Sequence, residues 1–163
     1  MRIAGIVQDS IVDGPGLRFT VFVQGCSRHC PGCQNPQTHD SGGGAELTVE
    51  ALLAQLDTAP LTDGLSLSGG EPMEQPVSCR ALAEAAHRRG LNVWCWTGET
   101  FETLLTSGIP EQRALLRAVD VLVDGPFLLE QRTLALPWRG SENQRVIDVR
   151  ASLERGTAVI LQP

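Results

Sequence analysis

The chain has 163 residues, 42% hydrophobic and 20% charged, with a net charge of −6, enough for one compact domain spanning residues 1–163. All 13 basic residues are arginine, with no clustered stripe to neutralise phosphates, so nucleic acid is excluded as an expected partner and so is chemistry that needs a lysine amine. No apolar run of about 18 residues and no charged-then-apolar leader at Met1 is present, so neither a membrane span nor secretion is expected, and the expected location is the cytoplasm.

In chain order, residues 2–7 and 17–24 (LRFTVFVQ) are predicted strands. The second alternates Phe19, Val21 and Val23 with Arg18, Thr20 and Phe22. It delivers the loop QGCSRHCPGCQNP, residues 24–36, at its C-terminal end. After a turn-rich connector (DSGGGAE), Thr48 caps a helix over 49–56 with Glu50 in its first turn. A strand at 65–68, a Gly-Gly turn, a helix over about 77–89 closed by Gly90, and a strand at 92–97 follow. Thr100 caps a short helix to Leu105, and Pro110 opens another to about Ala118. Strands are predicted at 121–124 and 145–149, and a further one at 158–161.

Short apolar strands alternating with helices of about ten residues imply parallel βαβ units, whose functional loops lie beyond the strand C-termini. The cysteine loop, Gly69-Gly70, Thr97-Gly98 and Asp124-Gly125 all take that position. A complete eight-unit barrel needs about 250 residues, so the expected fold is α/β, a partial and open parallel β/α barrel.

The five cysteines are an odd number, which argues against a disulfide framework and for metal or redox chemistry. Cys79 and Cys95 sit in apolar stretches and read as small buried hydrophobes. Cys26, Cys30 and Cys33 form C-x3-C-x2-C. A structural zinc ion wants four protein ligands, so zinc would have to recruit His29 or His39, of which His39 is the better placed. A [4Fe–4S] cluster held by three thiolates instead leaves one iron open to a substrate or cofactor. The spacing favours the cluster; a closed zinc knuckle and unligated cysteines are the alternatives.

Four blocks sharpen this: DSIVDGPGLRFTVFVQGC at 9–26, CSRHCPGCQNP at 26–36, LSLSGGEP at 65–72, and VWCWTGE through VLVDGPF to WRGSENQRVID at 93–148. With them the chain resembles radical S-adenosylmethionine (SAM) enzymes and, within these, the activating proteins of glycyl radical enzymes, most closely those of anaerobic (class III) ribonucleoside-triphosphate reductase. The resemblance implies a cluster on Cys26, Cys30 and Cys33 with SAM chelating the fourth iron. Ser68, Gly69, Gly70 and Glu71 match the GGEP turn that receives the SAM ammonium, with Glu71 adding negative charge. Trp96, Thr97 and Asp124 are implied SAM-pocket residues, although Trp94 reads as core. Asp13, Gly14, Gly16 and Arg18, in the DGPGxR stretch, and Arg139 and Asn143, in WRGSENQR, are implied to face the partner, although the latter run equally suits a strand cap.

The implied partners are the glycyl radical subunit of the reductase and a reduced flavodoxin- or ferredoxin-like electron donor. Two departures stand out. Gly32 replaces the aromatic residue common before the third cysteine, and Pro126 stands where some activases carry lysine, so a salt bridge from that amine to SAM is either absent or supplied by an arginine such as Arg145. A free-standing radical SAM enzyme acting on a small metabolite or peptide, and a non-catalytic zinc or electron-transfer module, are the alternative functions.

Overall fold

A computed structural model describes residues 1–162. Its elements in chain order are β1 (Arg2–Ser10), β2 (Arg18–Val23), β3 (Ala45–Glu46), α1 (Val49–Leu56), β4 (Gly64–Gly69), α2 (Pro76–Arg88), β5 (Asn92–Trp96), α3 (Phe101–Thr106), α4 (Pro110–Arg117), β6 (Val121–Asp124), β7 (Arg145–Asp148), α5 (Val149–Arg155) and β8 (Val159–Ile160). The predicted caps form: Thr48 Oγ1 accepts from the Ala51 amide at 3.1 Å and Thr100 Oγ1 from that of Thr103 at 3.2 Å, each satisfying an orphan donor of a first helical turn.

One eight-stranded sheet runs β3-β1-β2-β4-β5-β6-β7-β8 and does not close. Its centre, β2-β4-β5-β6, is parallel, whereas β1 and β3 on one flank and β7 and β8 on the other are antiparallel. The expected parallel βαβ units form the centre of this open sheet, and the antiparallel flanks depart from the expectation. Only β1 and β2 are joined by a short loop, which dictates antiparallel pairing; residues 125–144 lead from β6 to β7 and α5 leads from β7 to β8, and these edge pairs are antiparallel as well. The helix α5 was not anticipated either; Asp148 caps it, Oδ1 accepting from the Ala151 amide at 2.9 Å.

The strand alternation divides the sheet into two unlike faces. Phe19, Val21, Val23, Leu65, Leu67, Val93, Cys95, Leu122 and Ile147 join buried residues of all five helices, including Leu52, Leu82, Phe101, Leu115 and Val149, in the main core. Cys79 and Cys95 are fully buried there, and burial pushes both thiols up, that of Cys79 to about 12. The other face carries a small aromatic cluster of Trp94, Val123 and Val146 with Trp96 and Trp138 against it. No helix in the described chain is long and apolar enough to cross a membrane.

Candidate functional site

The parallel centre of the sheet brings the C-terminal ends of β2, β4, β5 and β6 side by side, so four strand-end loops converge. On the face without helices they surround a cavity of about 670 Å³. Its lining includes Cys26 and Cys30, Ser68 to Glu71, Trp96 to Gly98 and Gly125, with Val12 and Asp13 from the loop after β1 and residues 133–140 from the segment between β6 and β7.

The turn after β4 is fixed by backbone contacts that only glycine allows. The Gly70 amide donates to Val23 O at 2.8 Å and the Glu71 amide to Gly25 O at 2.9 Å. A Cβ on Gly70 would lie 2.3 Å from Gly25 O, and one on Gly69, at φ 93°, 2.8 Å from the Phe22 Cα, closer than any side chain tolerates. The glycines thus seat the turn against the start of the cysteine loop.

Glu71, expected to add negative charge to this turn, has a carboxylate engaged within the protein. It is 3% exposed. Oε1 accepts from the Met73 amide at 3.0 Å and Thr97 Oγ1 at 2.8 Å, Oε2 accepts from the Gly98 amide at 2.9 Å, and the Arg28 guanidinium lies 3.6 Å away. Burial pushes this carboxyl above its ordinary value; the three hydrogen bonds and Arg28 pull the other way. Its work is to tie the end of β4 to the end of β5.

Cys26, Cys30 and Cys33 are unpaired and partly exposed. Burial pushes the Cys26 thiol up, opposed by the backbone amides of Arg28 and His29. Cys33 Sγ accepts from the Asn35 amide at 3.3 Å and is not among the cavity-lining residues. Among the described residues no group of three or more histidines, cysteines or acids is set to hold a metal ion. A multi-iron cluster makes a different demand from a single ion, because each thiolate reaches its own iron and the sulfurs need not converge on one point. The histidine considered as a zinc ligand, His39, packs edge-on against His29 with ring centroids 4.9 Å apart, and its Nε2 is buried with no partner among the described residues.

Other expected site residues divide. Trp96 lines the cavity, donating its indole N–H to Trp138 O at 2.8 Å, and Trp94 stacks edge-on against Trp138 at 4.8 Å. Asp124 is a correction: it is 0% exposed, accepting from the Phe101 amide at 2.7 Å and from Arg145 Nε at 2.9 Å, so it does not face the cavity. Arg145 also holds Glu102 at 2.7 Å, so its guanidinium is engaged by two acids. Burying an anion at a strand end requires such pairing.

Arg18 is a second correction. Expected at a partner surface, it is 0% exposed, donating to Ser66 Oγ at 3.0 Å, Asn92 Oδ1 at 2.7 Å and Leu65 O at 2.7 Å. Burial lowers its pKa to about 10. Ser66 Oγ in turn donates to Asp13 O at 2.6 Å, so this arginine anchors the 10–17 loop from beneath. Gly14 is buried over Arg18 and Trp94, Gly16 is exposed beside Asp63, and Asp13 reaches the cavity wall. Asn143 is a brace, donating to Pro126 O at 2.8 Å and accepting from Ser141 Oγ. Arg139 lines the cavity, its Nε buried and without a partner among the described residues. Gln144, from the same WRGSENQR run as Arg139 and Asn143, lines it too; Arg28, Phe127 and Trp138 also line it and were not anticipated, the signal for Arg28 being its place inside the cysteine motif.

Comparison with known proteins adds the following. Residues 12–147 match a family described as a 4Fe-4S single cluster domain. The chain is 43% identical over 143 residues to the anaerobic ribonucleoside-triphosphate reductase-activating protein of Vibrio cholerae, covering 82% of this chain and 89% of that protein. It is 38% identical over 148 residues to the protein of that name from Salmonella typhimurium (86% and 94% covered). The Escherichia coli protein of that name is 36% identical over 150 residues, with the same coverage.

Proposed function

This chain belongs to the family of anaerobic ribonucleoside-triphosphate reductase-activating proteins and carries a 4Fe-4S domain, and from that premise we infer that it activates such a reductase as a radical SAM oxidoreductase of the partial-barrel type. The observation that carries the reading is the shared cavity: Cys26 and Cys30 open onto the same space as the 68–71 and 96–98 strand ends, on the face free of helices. Three free, partly exposed thiols at C-x3-C-x2-C spacing suit a cluster that keeps one iron for a ligand. When bound, the [4Fe–4S] cluster supplies one electron that splits the SAM sulfonium into methionine and a 5′-deoxyadenosyl radical, which takes the hydrogen atom from a glycine Cα of the reductase.

The protein's own residues position and exclude. Cys26, Cys30 and Cys33 are the residues that would hold the cluster's irons. Because both Glu71 oxygens are occupied, the SAM ammonium is left to the backbone carbonyls of the 68–71 turn. Trp96 and Trp138 form an apolar wall that keeps water from a reactive alkyl radical. Arg145 is spent on Asp124 and Glu102, which leaves Arg139 as the cavity arginine open to an anionic group. Asp13 and residues of the 133–140 segment line the cavity and would meet an entering glycine loop. A primary radical reacts with whatever hydrogen is in contact, so threading that loop decides the product. The electron comes from a reduced flavodoxin- or ferredoxin-like donor, in the cytoplasm, where thiols stay reduced.

The test is anaerobic reconstitution with iron and sulfide, reduction with dithionite, and assay of SAM for 5′-deoxyadenosine. Formation of the nucleoside is expected. Stoichiometric zinc in its place, with no nucleoside formed, contradicts the reading.

A further inference from the structure

The three residues between Cys26 and Cys30 are each tied outward to a different part of the chain. Ser27 donates through its amide and hydroxyl to Glu74 Oε1 at 2.9 and 2.6 Å. Arg28 bridges two acids, Nε lying 3.6 Å from Glu71 Oε2 and Nη2 pairing with Glu99 Oε1. His29 packs edge-on against His39.

Arg28 has the most to hold. Its side chain is 25% exposed while that of Glu71 is 4% exposed, so it is the countercharge for a buried carboxylate in a region where screening by water is weak. It also lies flat on Gly98: a Cβ there would come within 2.3 Å of Arg28 Cδ. One guanidinium therefore joins the cysteine loop, the turn after β4 and the loop after β5, and it lines the cavity that Cys26 and Cys30 face.

Resting on the cluster reading above, we propose that Arg28 is a positioning residue for the cluster: it clamps the Cys26–Cys30 spacer to the ends of β4 and β5 and holds a positive charge beside the irons, with Glu99 as the opposing charge. Reduction adds an electron to the cluster, so a neighbouring cation favours the reduced state and a neighbouring anion disfavours it. The two partners of one ion pair thus act on the cluster with opposite signs, which a merely structural contact does not do.

The experiment is an anaerobic redox titration, followed by electron paramagnetic resonance, of reconstituted wild type, Arg28→Gln, Arg28→Lys and Glu99→Gln, with iron content and circular dichroism measured on each. Arg28→Gln is expected to lower the reduced-to-oxidised ratio at fixed potential about tenfold, which for a one-electron couple is a midpoint about 59 mV more negative. Arg28→Lys is expected to recover most of that shift, because it restores the charge. Glu99→Gln is expected to move the midpoint in the positive direction.

Wild-type potentials and full iron content in both Arg28→Gln and Glu99→Gln overturn the proposal, as does a shift of the same sign in both. Should Arg28→Gln fail to fold or to take up iron, the sign of the Glu99→Gln shift decides. A wild-type protein that takes up no [4Fe–4S] cluster overturns the cluster reading itself, and the role of Arg28 with it.

Discussion

The two faces of the sheet are drawn from alternate residues of the same strands, yet they hold opposite kinds of chemistry. In β4, Leu65 and Leu67 are sealed against helices, while Ser66 carries the arginine network and Ser68 opens onto the cavity. In β5, Val93 and Cys95 enter the core, while Trp94 and Trp96 lie on the other face, Trp94 buried in the aromatic cluster and Trp96 lining the cavity. The helix face binds the fold together by removing apolar surface from water. The cavity face gives up that gain over part of its area and holds instead polar turns, thiols and a bridged arginine. Stability and reactivity are thereby assigned to side chains only one residue apart.

That division is most severely tested at the cysteines. Cys30→Ala is expected to abolish cluster absorption and 5′-deoxyadenosine formation while leaving the circular dichroism spectrum unchanged, since Cys30 belongs to no core cluster. One residue apart on β4, two substitutions should separate cleanly. Ser68→Leu projects into open space, so the fold persists but SAM binding, followed by equilibrium dialysis, weakens by about 10- to 100-fold as the side chain intrudes. Leu67→Ala removes a fully buried side chain and is expected to cost about 2–5 kcal/mol in urea denaturation with no change in nucleoside formed per cluster.

Further from the cavity the effects shrink. Thr48→Ala removes the α1 cap and is expected to cost about 1 kcal/mol, with SAM cleavage unaltered. The smallest is a pH effect: hydrogen bonds from Arg145 hold the exposed Glu102 carboxyl below its ordinary value. Its stabilisation is present above the unfolded value of about 4.3 and is lost as pH falls through the lower folded value. Glu102→Gln should therefore narrow its stability deficit against wild type as urea midpoints are followed downward from pH 5.

Much of the fold was legible because it is punctuated by local chemistry. Thr48, Thr100, Pro110 and Gly90 mark helix ends, and the strand alternation in β2 and β5 separates the two faces. What stayed hidden is non-local. Strand direction at β1, β7 and β8 depends on how the chain returns, which no local pattern records. Reading the strand at 145–149 one residue too far obscured Asp148 as a cap and so concealed α5, although Gly156 in the left-handed conformation at its end was a usable stop signal. At the site, the thiols and the strand-end turns were readable from spacing and glycine placement. Arg18 and Asp124 took their expected roles from the motif resemblance, which does not record burial, and both are buried and satisfied by hydrogen bonds. Glu71 followed the same rule, its charge spent on joining two strand ends.

The most direct measurement is electron paramagnetic resonance on the reduced, cluster-loaded protein mixed anaerobically with SAM and an anaerobic ribonucleotide reductase. A glycyl doublet on the reductase that appears with wild type and vanishes with Cys30→Ala is the expected result. A fully loaded and reduced wild-type protein that leaves no glycyl signal contradicts the assignment of the helix-free cavity as the place where the radical is made.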